Sequence, residues 1–312
     1  MDFDLPARSR PPQAPRKVSI EVCSECNHRC VYCPVRKDPF PPQVMDLVSF
    51  ERILDQLGGL PRIERISLNH FNEPFLDSFI EDRIHRIVER RMTRWIILFT
   101  NASLLTPELI ERLGTYRDWL DFSVNLPTVL SPERYRRLHG RDDLARVQDN
   151  LERLLAAGFS VRLSVQRNEY TTQDDLRSVQ RAYRKRVRQI EIHASSTRGN
   201  LVLSRRVNNP ARLAGCPNRR HTDYFHIGVD GAVFLCGEDY YKRYSFGNLL
   251  TQKLEDVLNS PERRRFIDYV EGKAAAPEGF PCRSCSYAAS GGLSAVRRFV
   301  DFLRSRIPGG RL

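Results

Sequence analysis

The sequence predicts an α/β fold, a partial (β/α)6 TIM-like barrel followed by a small C-terminal extension made of a β-hairpin and helices. Between residues 17 and 205, short apolar runs alternate with amphipathic segments. This alternation is typical of βα units that build a parallel sheet, and six strands suit a barrel or partial barrel. After residue 205 the alternation stops, and turn residues with four of the eight cysteines take its place.

Six short, mostly apolar runs predict the barrel strands. The third run, Trp95-Ile96-Ile97-Leu98-Phe99, is apolar throughout, and most of the others are shorter or mixed with polar residues. The predicted strands cover residues 18–22, 63–68, 95–99, 120–124, 160–165 and 189–193.

Helices are predicted between these strands, where apolar residues recur at helical spacing or where a capping signal opens a segment. Ile80, Ile84 and Ile87 give one helix an apolar face. Thr106 followed by Pro107 supplies a cap and a first-turn proline to the next helix. The predicted helices cover residues 80–91, a segment that opens at residue 106, residues 144–157 and residues 172–184.

The flanking segments complete four predicted regions. An Asp230-Gly231 turn between two apolar runs predicts a hairpin, and helical patterns follow at residues 254–258 and 261–270. Residues 1–16 contain four prolines, which suits irregular chain. We therefore expect an irregular lead-in (1–16), a barrel (17–205), an extension (206–290), and a C-terminal helix and tail (291–312).

Composition restricts the class of protein. At 312 residues with 41% hydrophobic residues and no long uncharged apolar run, the chain predicts a globular protein with no membrane partner. No secretory signal is visible at the N-terminus, so we expect a cytoplasmic protein whose cysteines bind metal rather than form disulfides. The net charge of +12 is spread over helix-like segments. We interpret these charged residues as solvent-exposed faces of helices and do not expect a nucleic-acid partner. The charge is also compatible with an anionic substrate.

A cysteine-rich loop directly follows the first predicted strand. Cys26, Cys30 and Cys33 have the spacing Cys-x3-Cys-x2-Cys. A loop of this length can turn three thiolates towards one iron–sulfur cluster and leave the fourth iron without a protein ligand. The alternative is a structural zinc site that also uses Cys23, because Cys-x2-Cys is a zinc spacing as well.

This loop, with Asn27 after its first cysteine and Tyr32 before its last, resembles the radical SAM superfamily. The resemblance implies that the open iron of a 4Fe-4S cluster chelates S-adenosylmethionine (SAM). It further implies that a reductant such as flavodoxin or ferredoxin drives cleavage of SAM to a 5′-deoxyadenosyl radical.

Three further segments resemble superfamily motifs that contact SAM, and each follows a predicted strand. Asn72-Glu73-Pro74 resembles the Gly-Glu-Pro motif that contacts the SAM amino group, and asparagine is one of the few residues that tolerate the positive φ of a glycine. Thr100-Asn101 resembles Thr-Asn-Gly, with Ala102 in place of the glycine. Ser123 and Asn125 resemble the segment near the ribose. Taken singly, each could be ordinary strand-end polarity.

A second group of cysteines lies in the extension. Their arrangement resembles the twitch half of the SPASM extension, which implies an auxiliary 4Fe-4S cluster with all four irons ligated. The ligands would be Cys216, Cys236, Cys282 and Cys285. A zinc ribbon is the alternative, because two cysteine pairs near a hairpin can also bind zinc.

Two residues are candidates for catalysis. Arg198 follows the sixth predicted strand, where a guanidinium could bind the SAM carboxylate or the substrate bidentately. Cys23 shares a strand face with Glu21, opposite Ile20 and Val22, so we expect its thiol to face the barrel interior. There it could donate a hydrogen atom to a substrate radical. The alternatives are a surface arginine and a space-filling buried cysteine.

The resemblance covers about residues 17–290 and favours the dehydrogenases and epimerases that carry one auxiliary cluster. It implies abstraction of hydrogen from a carbohydrate- or aminocyclitol-like small molecule, followed by epimerisation or oxidation of an alcohol-bearing carbon. The first alternative is maturation of a ribosomal peptide. The second, from another class, is a non-catalytic iron–sulfur or zinc protein that binds nucleic acid. Reductive cleavage of SAM would separate the classes.

Overall fold

The computed structural model describes residues 14–288. One nine-stranded sheet organises this part of the chain, in the order β6-β5-β4-β3-β2-β1-β7-β8-β9. The strands are β1 (Lys17–Ile20), β2 (Arg65–Ser67), β3 (Trp95–Thr100), β4 (Leu120–Asn125), β5 (Ser160–Arg167), β6 (Gln189–Ala194), β7 (Tyr224–Ile227), β8 (Ala232–Phe234) and β9 (Ser245–Asn248).

The strands β1 to β6 are all parallel, which confirms the predicted α/β fold with a partial barrel. The predicted hairpin joins the same sheet: β7 pairs parallel with β1, and β8 and β9 continue in antiparallel fashion. The extension is therefore continuous with the barrel sheet, and β1 pairs with strands of both regions. The predicted helix and tail at 291–312, and residues 1–13 of the lead-in, lie outside the described residues.

The helices are α1 (Leu47–Leu57), α2 (Ile80–Glu89), α3 (Pro107–Leu113), α4 (Pro132–His139), α5 (Leu144–Ala156), α6 (Gln173–Tyr183), α7 (Arg220–Asp223), α8 (Leu254–Leu258) and α9 (Pro261–Val270). The expected cap of α3 is present, since the Thr106 side chain accepts a hydrogen bond from the Leu109 amide. Helices α1, α4 and α7 were not predicted. Helix α4 nevertheless carries its own signals, with Ser131 as cap and Gly140 at φ +75° as terminator.

Side chains alternate across the barrel strands and give the sheet two chemically different faces. Ile66, Phe122 and Leu163 belong to the hydrophobic core on the helix side. The opposite face, which lines the barrel, is largely polar and includes the residues Ser19, Ser67, Asp121, Ser123, Arg162 and Ser164. The barrel interior therefore presents mainly polar side chains.

A buried ion pair fixes the turn that follows β2. Arg83 of α2 is fully buried, and its Nε lies 2.6 Å from Oδ2 of Asp77, which is also buried. The guanidinium also packs 4.8 Å from the ring centre of Phe50 and donates to the Met45 carbonyl. Because a buried charge is costly unless it is paired, this pair holds the segment after Asn72-Glu73-Pro74 in one position.

None of the helices between residues 14 and 288 is both long enough and apolar enough to span a bilayer.

Candidate active site

The candidate site lies at the carboxyl ends of the parallel strands, where sites of barrel folds are found. The cysteine loop follows β1, Asn72-Glu73-Pro74 follows β2, and Thr100-Asn101 closes β3. Ser123 and Asn125 lie in the last half of β4. All of these predicted residues thus come to one edge of the sheet.

The cysteine loop brings together Cys26, Cys30 and Cys33, called here the N-terminal cysteine set. All three are free thiols. Burial raises the pKa of Cys26 to about 12, with further contributions from Glu73 and Cys33. Burial also raises the pKa of Cys30 well above its usual value, and the neighbouring Cys33 and Cys26 add to it. Because the charges of these cysteines raise one another's pKa, three thiolates here would repel one another unless a cation compensates them, which fits a metal cluster.

Helix α4, which sequence reasoning missed, supports the cysteine loop. The amides of Arg29 and Val31 donate to the carbonyls of His139 and Leu138 at 2.9 and 3.0 Å. The Tyr32 hydroxyl lies 2.6 Å from Nε2 of His139. At Gly140, an added Cβ would approach the Arg29 backbone and Cβ to 3.0 Å. The glycine therefore permits both the left-handed turn and the close approach of the loop.

Glu73 is the residue that joins the separate motifs. Its carboxylate accepts from the Thr100 hydroxyl at 2.6 Å, from the Asn101 amide at 2.8 Å and from the Phe75 amide at 3.4 Å. The Asn101 side chain in turn donates to Oδ1 of Asn27 in the cysteine loop at 2.8 Å. Burial raises the pKa of Glu73 to about 7, against the lowering effect of its hydrogen bonds. The motifs after β1, β2 and β3 thus form one hydrogen-bonded unit.

Asn72 does not adopt the glycine-like conformation that the sequence suggested as its role. It is not among the described residues with positive φ. Its side chain instead accepts from the His70 amide at 2.7 Å and donates to Sγ of Cys23 at 3.3 Å. The asparagine therefore replaces glycine with hydrogen bonds, not with the same backbone shape.

The glycine-like backbone appears at Ala102, which has φ +61°. The left-handed region is unfavourable for alanine. Hydrogen bonds hold it there: the Ala102 amide donates to the Thr100 hydroxyl at 2.9 Å, and Nδ2 of Asn150 donates to the Ala102 carbonyl at 2.8 Å. The turn of the Thr-Asn-Gly motif is thus kept without the glycine.

Cys23 lies beneath this unit. Strand β1 ends at Ile20, and Ile20 and Val22 lie in the hydrophobic core as expected. The Cys23 thiol is 1% exposed and lies 3.6 Å from the Glu73 carbonyl. Burial raises its pKa to about 11, so it is a neutral thiol. Hydrogen donation by Cys23 stays a prediction, and it would require the thiol to become accessible.

Buried polar atoms without hydrogen-bond partners occur near the carboxyl ends of β2 and β4. Within residues 14–288, Oγ of Ser123, Oδ1 of Asn125 and Oδ1 of Asn69 are buried and make no hydrogen bond. Buried polar groups are normally paired. These orphaned atoms at the strand ends therefore fit a bound polar ligand, which supports the expected SAM site beside the cysteines.

The four cysteines of the extension, called here the C-terminal cysteine set, also come together: Cys216, Cys236, Cys282 and Cys285. Burial raises the pKa of Cys236 to about 12, and burial followed by the three other thiols raises the pKa of Cys282 well above its usual value. Asn209 fixes the last pair by donating to the carbonyls of Cys282 and Cys285 at 2.8 and 2.9 Å. Four mutually repelling thiols without disulfides fit a fully ligated metal centre.

Arg198 lies between the two cysteine sets. Its Nη1 is 2.7 Å from Oε1 of Glu238, which is 3% exposed, and Nη1 of Arg220 is 3.0 Å from the same oxygen. Burial raises the pKa of Cys33, and Arg198 partly offsets that rise. Burial also raises the pKa of Cys285, and Glu238 adds to it. Sequence reasoning missed Glu238 and Arg220. An acidic residue two positions after Cys236 was the available signal.

Two regions of the chain match known domains. Residues 20–167 match the radical SAM superfamily, and residues 216–286 match SPASM, an iron–sulfur cluster-binding domain. The first match includes the N-terminal cysteine set and strands β2 to β5, and it begins at the last residue of β1. The second match includes the C-terminal cysteine set.

Curated relatives match over part of their length. The chain is 30% identical over 98 residues to an S-adenosyl-L-methionine-dependent 2-deoxy-scyllo-inosamine dehydrogenase of Niallia circulans, covering 31% of this chain and 39% of that protein. It is 27% identical over 139 residues to a GTP 3′,8-cyclase of Chlorobaculum tepidum, covering 45% and 41%. The chain spans about two fifths of the length of these relatives.

Solved structures share the fold. BtrN in complex with AdoMet and 2-DOIA has a TM-score of 0.59 and 20% identity, over 88% of this chain and 94% of that one. Streptococcus suis SuiB bound to precursor peptide SuiA has a TM-score of 0.69 and 14% identity, over 88% and 70%. At these identities the likeness concerns the fold alone.

Proposed function

Because the chain carries a radical SAM domain followed by a SPASM domain, as the cysteine spacings predicted, we propose that it is an enzyme acting on a carbohydrate- or aminocyclitol-like substrate. Its cofactors are SAM and two 4Fe-4S clusters, one SAM-binding and one auxiliary. When reduced, the first cluster would supply the electron that splits SAM into methionine and a 5′-deoxyadenosyl radical, which would take a hydrogen atom from the substrate and become 5′-deoxyadenosine. The proposed outcome is epimerisation, in which a hydrogen donor such as a thiol returns one hydrogen atom to the substrate radical, or oxidation at an alcohol-bearing carbon, in which the substrate radical passes one electron to the auxiliary cluster and releases one proton.

Each of the two cysteine sets would hold one of the two clusters. Cys26, Cys30 and Cys33 would hold the SAM-binding cluster, and the C-terminal cysteine set the auxiliary one. Glu73 would receive the SAM amino group, since its carboxylate already gathers Thr100 and Asn101. The unpaired oxygens of Ser123 and Asn125 would accept or share hydrogen bonds with the ribose.

The polar inner face of the sheet supports the substrate class most directly. Residues such as Ser67, Ser123 and Ser164 line the barrel where a filled apolar core would otherwise lie. A substrate rich in hydroxyl groups needs many donors and acceptors around it, because each unpaired buried hydroxyl costs about 1–3 kcal/mol. A lining of this kind supplies them.

A peptide substrate remains the second candidate, and strand β6 favours it. Gln189–Ala194 pairs on one side with β5 and forms an outer edge of the sheet, with its Gln189, His193 and Ala194 exposed. An open edge can receive an extended peptide as an additional strand.

The test is an anaerobic assay of the reconstituted, reduced protein with SAM and 2-deoxy-scyllo-inosamine, the compound named for the dehydrogenase relative, beside a panel of related cyclitols. We expect 5′-deoxyadenosine in step with product. A product with two hydrogen atoms fewer than the substrate would indicate oxidation. In deuterated water, one deuterium at an inverted carbon would indicate epimerisation. A Cys30→Ala variant is the negative control. Protein that holds both clusters yet leaves SAM intact would contradict the proposal.

A further inference from the structure

Two histidines that the cysteine motifs do not involve face each other beside Arg198. His70 follows β2, and His226 lies in β7, next to Ser19 of β1 on the barrel side of the sheet. Their ring centres are 6.3 Å apart with an interplanar angle of 56°. A hydroxyl that bonds to one nitrogen of each ring needs about 5–6 Å between those nitrogens, which this separation allows.

The imidazole of His226 has no hydrogen-bond partner in the described part of the chain. The residue is 6% exposed, and both Nδ1 and Nε2 are buried and unpaired. Nε2 of His70 is buried and unpaired as well. Three unsatisfied ring nitrogens at one place are unusual, because buried polar groups are normally paired with protein, water or ligand.

Both rings are neutral at physiological pH. Burial lowers the pKa of His226 to about 3, with a further contribution from Arg220. Burial also lowers the pKa of His70 well below its usual value, and His226 and nearby cations add to it. A neutral imidazole presents one N–H donor and one acceptor nitrogen. This is the complement of a hydroxyl group, which also donates and accepts.

The surroundings disfavour a ligand with an ammonium group at this point. Arg198 and Arg220 share the single carboxylate of Glu238, and Lys242 pairs with Glu21. Three cations thus face two carboxylates, so an additional positive charge would be repelled. An anion, in turn, would compete with Glu238 for guanidiniums that are already paired.

The backbone leaves room against both rings. A Cβ added at Gly237 would lie 3.5 Å from Cε1 of His226 and 3.7 Å from Cε1 of His70. Gly237 follows Cys236 of the C-terminal cysteine set. Arg198 partly offsets the rise that burial causes in the pKa of Cys33 of the N-terminal set. The histidine pair thus lies against the residue that follows Cys236, and Arg198 interacts electrostatically with both His70 and Cys33.

A metal ion is not favoured at this pair. Among the described residues, the set of three histidine, cysteine or acidic ligand atoms within 4.8 Å of one another is His28, Cys30 and His139. It includes neither His70 nor His226, and Cys30 already belongs to the N-terminal cysteine set.

We propose that His70 and His226 form a subsite that binds neighbouring hydroxyl groups of a neutral polyol ring, with any amino group of the substrate directed away from them. The inference rests on the proposed function, because it names the part of the substrate that this site would hold. His226 is the principal contact, since neither of its ring nitrogens has a hydrogen-bond partner within residues 14–288.

The experiment measures binding of scyllo-inositol, a ring that carries only hydroxyl groups, to the anaerobic holoenzyme with SAM present, by calorimetry. Wild-type protein is compared with His226→Phe, which keeps a ring but removes both nitrogens, and with His226→Gln, which keeps a donor and an acceptor. His85→Phe is the matched control, because His85 lies on α2 and contacts Tyr116 at the outer surface. Iron content and visible spectra establish that each variant retains its clusters.

We expect scyllo-inositol to bind wild type and His85→Phe equally, and His226→Phe about tenfold to hundredfold more weakly, the effect of one or two lost hydrogen bonds. His226→Gln should retain part of the affinity. If His226→Phe fails to assemble, Gly237→Ala provides the second test, because its methyl group would occupy the space against both rings and weaken binding. SAM affinity should not change in any of these variants.

Absence of saturable scyllo-inositol binding to wild type, or equal binding by all variants, would overturn the subsite. Stronger binding of a tripeptide that is lost in His226→Phe would overturn it in favour of a peptide. SAM cleavage is measured on the same samples. Intact cleavage without polyol binding refutes the subsite alone, whereas absent cleavage refutes the proposed function whatever the polyol does.

Discussion

Replacing Glu73 with glutamine tests the centre of the proposed SAM site. The Glu73 carboxylate offers about four acceptor positions, and Thr100, Asn101 and Phe75 occupy three of them. One position is left for the amino group of SAM. Glutamine keeps the shape but removes the charge and turns an NH2 group towards existing donors. Loss of one partner of a buried charged hydrogen bond costs about 2–5 kcal/mol. We therefore expect SAM to bind Glu73→Gln at least about thirtyfold more weakly at pH 8.

The pH dependence of this difference follows from the pKa of Glu73, which burial raises to about 7. Above that pH the carboxylate is ionised and attracts the amino group, and below it the carboxyl is neutral and resembles glutamine. At pH 6 about one tenth of the wild-type groups are ionised, so the advantage over Glu73→Gln should shrink by roughly tenfold, or about 1.4 kcal/mol. The ratio of the two dissociation constants is decisive, because titration of SAM itself affects both proteins equally.

Anaerobic calorimetry of SAM binding at pH 6 and pH 8 measures this ratio. Glu81→Gln is the matched control. Glu81 on α2 makes an exposed ion pair with Arg112 on α3, so its substitution should leave SAM affinity unchanged. Iron content should be equal in all three proteins. A ratio that is the same at both pH values would refute the assignment of the titrating group, and unchanged affinity of Glu73→Gln at pH 8 would refute its role.

Four other variants test the remaining assignments. Alanine at all positions of the N-terminal cysteine set should remove about half of the iron and all SAM cleavage, and alanine at all positions of the C-terminal set should remove the other half; full iron together with bound zinc in the latter variant would contradict an auxiliary cluster. Arg198→Lys keeps the charge but loses the planar guanidinium group whose Nη1 contacts Glu238. We therefore expect reduced turnover or weaker SAM binding. No change in either would leave Arg198 without a functional role. Cys23→Ala, assayed in deuterated water with the substrate, should abolish epimerised product while hydrogen abstraction continues; normal epimerisation with full deuterium uptake would show that Cys23 only fills space.

Much of the site could be predicted because its signals are local. The spacing of Cys26, Cys30 and Cys33 restricts them to one loop, and a parallel arrangement of strands places the residues after each strand at a common edge. The cap of α3 is likewise set by Thr106 and the residues next to it. These predictions needed only periodicity and short-range geometry.

Some local signals were present but were not used. Ser131-Pro132 and Gly140 delimit α4, yet the strongly polar sequence between them hides its apolar side. The same polarity obscured Arg83, whose charge suggests exposure, whereas its pairing with Asp77 allows complete burial. Asn72 shows the converse, because a substitution that tolerates positive φ does not have to adopt it.

The sequence by itself determined the strand–helix alternation, the two cysteine sets and the motifs at the strand ends. Only the tertiary structure decided that Glu73 joins Thr100 to Asn101, that Glu238 lies between Arg198 and Arg220, and that His70 meets His226. The physical reason is that backbone periods and turn preferences act over a few residues. Contacts between distant segments depend instead on the order of strands in the sheet, and the pairing of β7 with β1 brings His226 to the barrel.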